Sequence, residues 1–254
     1  LNQIKRTLKP FMNNYYKFSI PISAVMIFLA LMVITTDYIG PQKDISNCES
    51  DDQIEVICGF NNSEDIVITP DNNFLFMSQM GSIAPWGENE PGNFAIMELS
   101  SNKKIIPKIT LEENVWGDKT CSRKDNDGYG PHGIDLVQRD DGKYQIGVIS
   151  HFPKESIEMF ELKKNNLNWE MIWRGCVNVP DKFYFNDLSL KKDGSFYASH
   201  MYKRNITMNE WLMISLFKNN SGNIVFWKDS SFIEVEGSEG SSPNGILLDE
   251  DSNT

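Results

Sequence analysis

Four segments of the sequence resemble one another, and this internal repeat restricts the fold more than any other feature. Each opens with a polar residue, continues with alternating apolar positions and reaches an acidic turn. The segments are EDIVITPDNN from Glu64, HGIDLVQRDDG from His132, NDLSLKKDG from Asn186 and NGILLDED from Asn244. Their starts lie 68, 54 and 58 residues apart, somewhat longer than the roughly 40 to 50 residues of familiar propeller blades. The repeat predicts a β-propeller, because a β-sandwich would not by itself produce four matching strand starts.

The sequence around these repeats has the pattern of short strands. Alternating or apolar runs are separated by Asp, Asn and Gly, which favour turns. The runs are FLFMS (74–78), FAIMEL (94–99), YQIGVIS (144–150), SIEMFEL (156–162) and NIVFW (223–227). No capped amphipathic helix of three turns is evident. We expect an all-β domain over residues 58–254 that comprises about four blades, preceded by an acidic tether at 37–57.

The N-terminal region has the features of a membrane anchor. Residues 18–36 contain 19 amino acids without a charge, enough to cover about 28 Å of hydrocarbon as a helix. The basic segment 1–17 places the N-terminal side in the cytoplasm. A cleaved signal peptide is the main alternative, and a buried core helix is another. We expect a single-pass signal anchor, with the C-terminal domain in the periplasm, the extracellular space or a lumen.

Charge and cysteine content restrict the partners and the compartment. From Asp37 onward the chain has 20 basic and 35 acidic residues, so nucleic acid is not expected as a partner. Four cysteines follow the apolar segment, which indicates up to two disulfides in one of three connectivities. Buried free thiols are the alternative. A structural zinc site is not expected, because no C-x-x-C pair is present.

The opening residues of the repeats are candidate metal ligands. In a propeller the inner strands all start at the same end of the channel, so these residues converge there. They are Glu64, Asp65, His132, Asn186, Asp187 and Asn244. Carboxylate and amide oxygens in this number suit Ca²⁺ better than zinc or copper. The chain has three histidines, His132, His151 and His200, but their spacing does not match a known zinc motif.

Five motifs in a fixed order resemble the paraoxonase/arylesterase branch of the gluconolactonase and strictosidine-synthase-like group. They are S-E-D-I (63–66), P-H-G-I (131–134), V-I-S-H-F-P with S-I-E-M-F-E-L (148–162), F-N-D-L (185–188) and P-N-G-I (243–246). The resemblance covers about residues 58–250. It implies a six-bladed propeller that carries two axial calcium ions.

The resemblance also implies roles for individual residues. Glu64, Asn186 and Asn244 would hold a catalytic calcium, whereas Asp65, Asp187 and the backbone carbonyl of Ile134 would hold a structural one. His132 and His151 match the family's histidine dyad. A further Asp-Asn ligand pair and the last blades have no counterpart in this sequence, so we expect it to be truncated at the C-terminus.

These residues predict a calcium-dependent hydrolase of small-molecule esters or lactones. The metal would polarise the carbonyl, and His132 would serve as general base, with His151 orienting it or shuttling its proton. The alternative is a non-catalytic propeller that binds a partner and uses calcium for stability only, since a fold does not determine function. The natural substrate and the oligomeric state are left open.

Overall fold

A computed structural model of the chain describes residues 22–32, 47–165 and 168–249. The chain divides into two units, Leu1–Val56 and Ile57–Thr254. In the first unit, residues 22–32 form helix α1, whose side chains are exposed. The rest of the expected anchor (18–36), the basic segment 1–17 and residues 37–46 of the expected tether lie outside the described residues. Within the described ranges, no helix combines the length and the apolar character that crossing a membrane requires.

The second unit contains three β-sheets, which confirms the all-β prediction. The strands of the first sheet are, in spatial order, β1 (Ser63–Ile68), β2 (Phe74–Gln79), β3 (Asn93–Glu98) and β4 (Lys103–Ile105). All neighbours in this sheet are antiparallel. The turn between β1 and β2 contains Asn72 at φ 56°, a left-handed conformation that asparagine tolerates better than most residues.

The second sheet has five strands. They are β5 (Ile109–Leu111), β6 (Pro131–Gln138), β7 (Tyr144–Ser150), β8 (Ser156–Asn165) and β9 (Asn168–Asn178). The spatial order is β5-β9-β8-β7-β6, in which β6 to β9 form an antiparallel meander and β5 pairs in parallel with β9. The four-stranded unit expected from the repeat is therefore extended here by a strand that precedes β6 in the chain.

The third sheet repeats the meander of the first. Its strands are β10 (Phe185–Leu190), β11 (Phe196–His200), β12 (Asn223–Lys228) and β13 (Ser231–Glu234). Asp229 and Ser230 join β12 to β13, and both have positive φ angles. Two such residues are what a tight hairpin turn with the twist of its strands requires.

The second sheet contributes side chains to two apolar clusters, one on each of its faces. Ile146 and Phe160 face Phe76 and Phe94 of the first sheet. Their strand neighbours on the opposite face, such as Met159, pack with the apolar side chains of β10 to β12 in the third sheet. The strands that begin the three antiparallel meanders, β1, β6 and β10, also lie together, since β6 contacts both β1 and β10. This stacking of meanders with adjacent first strands is propeller-like, although the described strands do not close into a ring.

The fourth repeat differs from the expectation. About four blades were expected, but the described residues form three sheets, and the segment that opens at Asn244 contains no strand up to residue 249. It still runs beside β10, because the backbone N–H of Ile246 donates to Asp187 and that of Leu248 donates to Ser189. An inner strand needs a second strand to pair with, and the described residues after Asn244 include none.

The prediction of disulfides is confirmed. Cys121 and Cys176 form a disulfide with 5.6 Å between their Cα atoms, and Cys48 and Cys58 are also disulfide-bonded. The first bond ties the segment before β6 to β9. The backbone approach is close there, since a Cβ on Gly117 would overlap the backbone of Cys176.

One helix was missed by the sequence analysis. Helix α2 (Met208–Phe217) follows the N-cap Thr207, whose side chain accepts from the N–H of Glu210, while the Glu210 carboxylate accepts from the N–H of Thr207. This capping box is visible in the sequence as T-M-N-E. The helix escaped detection because its apolar residues do not gather on one face, and none of its side chains is buried.

Candidate functional site

Several of the predicted site residues lie at the beginnings of β1, β6 and β10, and each of these strands is irregular at that point, whereas His151 follows β7 and Asn244 lies after β13. Pairing shifts register between Ser63 and Asp65 in β1, between Pro131 and Ile134 in β6 and between Phe185 and Leu188 in β10. The residues within these shifts include Glu64, His132 and Asn186. Such irregularities turn side chains away from the regular alternation of a strand and occur frequently beside active sites.

A cavity of about 470 Å³ brings four predicted residues together. Glu64, His132, Asn186 and Asn244 all line it. Apolar and aromatic side chains form much of the remaining wall, from Met80, Ile83, Trp86, Met201, Tyr202, Trp211 and Pro243, and the polar residues Ser215, Lys218, Ser241 and Ser242 complete it. Trp86 comes from the segment after β2 and Trp211 from α2, and their rings contact edge to face at 5.2 Å. A concave, largely apolar cavity with a few convergent polar groups is typical of a small-molecule site.

The two histidines of the expected dyad are in direct contact. Nδ1 of His132 lies 2.8 Å from Nε2 of His151. Nε2 of His132 lies 3.2 Å from Oε1 of Glu64 and 3.2 Å from Nδ2 of Asn186. The opposite nitrogen of His151, Nδ1, lies 2.8 Å from Oε1 of Glu155. Burial lowers the pKa of His151, so this ring is neutral near pH 7.

His200 does not belong to this group. Its Nδ1 accepts the backbone N–H of Tyr184 at 3.0 Å, and its ring packs on Phe183. A site built from all three histidines is therefore not formed.

The three carboxylates behind the cavity link neighbouring inner strands. Oδ2 of Asp65 accepts the backbone N–H of Ile134 at 2.7 Å, and Oδ2 of Asp187 accepts that of Ile246 at 2.9 Å. Asp135, which the sequence analysis did not single out, accepts the N–H of Leu190 at 2.7 Å. Each of these aspartates therefore joins its own strand to the segment that opens the next repeat.

The carboxylates of Asp65, Asp135 and Asp187 are partly buried close to one another, so their negative charges repel. Burial, together with the nearby charges of Asp65 and Asp135, raises the pKa of Asp187 to about 7, although hydrogen bonds from backbone N–H groups act in the opposite direction. Burial also raises the pKa of Asp65. Each carboxylate oxygen keeps a second lone pair beyond its bond to the backbone. This excess of buried oxygen donors with negative charge fits a hard cation such as Ca²⁺.

The predicted ligand sets do not consist of carboxylates alone. Among the described residues, no three Asp, Glu, His or Cys side chains cluster closely enough to hold an ion by themselves. The sets predicted from sequence each depend on amide or backbone carbonyl oxygens, from Asn186, Asn244 and Ile134. Nδ2 of Asn186 points to His132, which leaves its Oδ1 as the oxygen available to a metal.

Sequence reasoning missed two parts of this site. Glu155 extends the histidine pair, and its only signal is its position four residues after His151. The aromatic wall of Trp86 and Trp211 lies in the segments PWGENEPGN (85–93) and MYKRNITMNEW (201–211). Both segments do border the cavity, but the contact between their tryptophans depends on α2.

Comparison with known proteins identifies a family and several distantly similar structures. The arylesterase family model matches residues 42–254, and no curated protein sequence matches the chain. A putative oxidoreductase (glucose dehydrogenase) from Thermus thermophilus aligns with 10% identity and a TM-score of 0.37 over 69% of this chain. A GH43 β-1,3-galactosidase with galactodeoxynojirimycin aligns with 11% identity and a TM-score of 0.39 over 81% of this chain. The chain spans 46% and 64% of the lengths of those two proteins.

Proposed function

Because the chain belongs to the arylesterase family of paraoxonase-like ester hydrolases, we propose that it is a calcium-dependent hydrolase of small-molecule esters or lactones. The observation that carries this proposal is the cavity in which Glu64, His132, Asn186 and Asn244 meet under apolar walls. The aromatic and aliphatic residues of this cavity are suited to the acyl or aryl part of a substrate. Apolar surroundings also strengthen electrostatic interactions with a reacting carbonyl.

The donor set favours calcium over a transition metal. Glu64, Asn186 and Asn244 would hold the catalytic ion through oxygen atoms, and Asp65, Asp187 and the carbonyl of Ile134 would hold a structural one. A bound calcium would act as a Lewis acid that polarises the carbonyl oxygen of the substrate. The second ion would offset the repulsion between Asp65 and Asp187 that contributes to the raised pKa of Asp187.

His132 is the candidate general base. A water molecule in the cavity would give a proton to Nε2 of His132 while its oxygen attacks the carbonyl carbon. The bond to the alcohol or ring oxygen would then break as that oxygen takes the proton back from the imidazolium. The Glu64 carboxylate lies 3.2 Å from Nε2, so it would stabilise the imidazolium that forms. His151 holds the His132 ring through the 2.8 Å contact to Nδ1.

The finer architecture and the location are part of the same proposal. The stacked meanders support a six-bladed propeller of the gluconolactonase and strictosidine-synthase-like group, of which the described residues would supply half. Disulfides persist in oxidising compartments, which supports a domain outside the cytoplasm behind a signal anchor at 18–36. Small-molecule esters or lactones would be the substrates.

The test uses the full chain, purified in detergent, with phenyl acetate and an aliphatic lactone as probes. We expect calcium-dependent hydrolysis that chelation abolishes, together with a lower melting temperature of the chelated protein. His132→Gln should lower turnover by roughly 10²-fold or more, a typical loss for a general base, in a protein that still folds. Turnover and melting temperature are measured on the same preparation.

Two outcomes would contradict this reading. Equal stability and activity with and without chelator would remove calcium from the proposal, and unchanged turnover in folded His132→Gln would remove the base. If calcium raises the melting temperature but neither probe is hydrolysed, the alternative of a calcium-stabilised binding module is favoured.

A further inference from the structure

The histidine pair continues into a third buried side chain. Glu155, His151 and His132 form an uninterrupted series of contacts, with 2.8 Å between Oε1 of Glu155 and Nδ1 of His151 and 2.8 Å between Nε2 of His151 and Nδ1 of His132. Their exposed fractions are 6%, 1% and 3%. The series therefore runs from the cavity at His132 through buried side chains.

A second cavity lies at the other end of the series. It has a volume of about 400 Å³ and is lined by Glu155 and His151 together with Lys154, Arg204, Asn89 and Glu88. In the part of the chain that the structure describes, the only basic group within ion-pair distance of Glu155 is His151. Lys154 and Arg204 bring positive charge to the same cavity, which complements an ionised carboxylate.

The hydrogen-bonding capacity of each group determines where the ring protons lie. An ionised carboxylate only accepts hydrogen bonds, so the N–H of a neutral His151 must be on Nδ1. Its Nε2 then carries a lone pair and must accept, so the N–H of His132 must also be on Nδ1. That leaves Nε2 of His132 with its lone pair toward the cavity, where Nδ2 of Asn186 lies 3.2 Å away and can donate to it. Oε1 of Glu64 lies 3.2 Å from the same nitrogen, and its carboxylate is one of the groups proposed to bind calcium.

We propose that Glu155 is a positioning residue that fixes the Nδ1–H tautomer of both His151 and His132, so that His132 presents a basic Nε2 to the cavity. The effect of these tautomers on catalysis rests on the proposed hydrolase function, whereas the assignment of the tautomers does not. A carboxylate that orients a histidine is a general device of acid–base catalysis, and the wrong tautomer is costly even when the geometry is kept. Glu155 itself does not reach the cavity that holds Glu64 and Asn186.

The direct test is ¹⁵N NMR of the full chain labelled only at its three histidines. The nitrogen shifts distinguish a protonated ring nitrogen from one with a lone pair. We expect Nδ1–H for His151 and His132 in the wild type and an altered tautomer in Glu155→Gln, whose amide can donate to Nδ1. His200 is the internal reference, because it contacts the backbone of Tyr184 instead. Protonation of Nε2 in both wild-type rings would overturn the proposal.

Kinetics of the same variants measure the consequence. Glu155→Gln should lower kcat by at least about 10-fold with KM nearly unchanged, and Glu155→Asp should recover part of the loss because a carboxylate is restored. Glu88→Gln is the matched control, since Glu88 lines the same cavity and makes no hydrogen bond to His151 among the described residues. A folded Glu155→Gln variant with wild-type kcat would overturn the positioning role. Correct tautomers in a wild type that hydrolyses neither probe would instead refute the proposed function alone.

Discussion

Gly133 and Gly245 offer a test of how closely the inner strands approach beside the site. Both follow the opening residue of a repeat, in H-G-I and N-G-I, and both lie near Asp187. A Cβ added to Gly133 would lie 2.5 Å from the Cα of Asp187 and 2.6 Å from the carbonyl oxygen of Asn186. A Cβ on Gly245 would meet only the Asp187 carboxylate, at 3.8 Å, which is ordinary contact.

The magnitude follows from these contacts. Besides the Asp187 carboxylate, the atoms closest to this Cβ are backbone atoms that cannot rotate away, so Gly133→Ala should push β10 from β6 at a cost of about 1–3 kcal/mol, the usual range for overpacking. For a domain of this size about 2 kcal/mol lowers the melting temperature by about 4–8 °C. Gly245→Ala lacks this clash and should be neutral or slightly stabilising, because alanine restricts the unfolded chain.

The assay is thermal unfolding of both variants and the wild type, followed by circular dichroism at one fixed calcium concentration. Turnover at a temperature where all three are folded adds a second measure, since displacement of β10 moves Asn186 relative to His132. If Gly133→Ala melts at the temperature of Gly245→Ala, the close approach of β6 and β10 is wrong, and with it the geometry inferred for the site.

Two further predictions concern features away from the cavity. Replacing both Cys121 and Cys176 by Ala should lower the free energy of unfolding by about 4 kcal/mol, because the disulfide spans 55 residues and its loss gives the unfolded chain more conformational freedom. Denaturant titration under non-reducing conditions measures this free energy, and a loss below about 1 kcal/mol would contradict the prediction. Burial raises the pKa of Asp193, but hydrogen bonds from Ser195 and Lys228 outweigh burial and lower this pKa to about 2. The stabilising effect of the Asp193 carboxylate should therefore be complete above pH 4 and lost as the pH falls through 2. Asp193→Asn should therefore destabilise the protein at pH 7 and not near pH 2, as denaturation at the two pH values would show; an equal effect at both would refute the assignment.

The strands were largely predictable from sequence because their side chains alternate and their turns use Asp, Asn and Gly. The run YQIGVIS coincides with β7, and the runs from Phe74 and Asn223 begin β2 and β12. The first three repeat starts coincide with inner strands for the same reason. The start at Asn244 has the same pattern without a strand, since a strand also needs a partner and pattern alone does not supply one.

The parts of the site that could not be predicted depend on tertiary contacts. Glu155 has the sequence context of a surface residue, beside Lys154 and Pro153, and only the fold buries it against His151. The same holds for Trp211, which reaches the cavity because the capped helix α2 brings it to Trp86. Local patterns identify a strand or a cap, whereas the contact between the two tryptophans joins distant parts of the chain.

The paired residues Glu64-Asp65 and Asn186-Asp187 show why a short repeat can serve two purposes. The two members of each pair contact different surroundings. Glu64 and Asn186 line the cavity, whereas Asp65 and Asp187 accept hydrogen bonds from the backbone of the next repeat. Binding at the cavity and attachment between inner strands are therefore one residue apart in the sequence. It follows that a change at the first residue of a pair should act mainly on chemistry, and a change at the second mainly on the joining of the sheets.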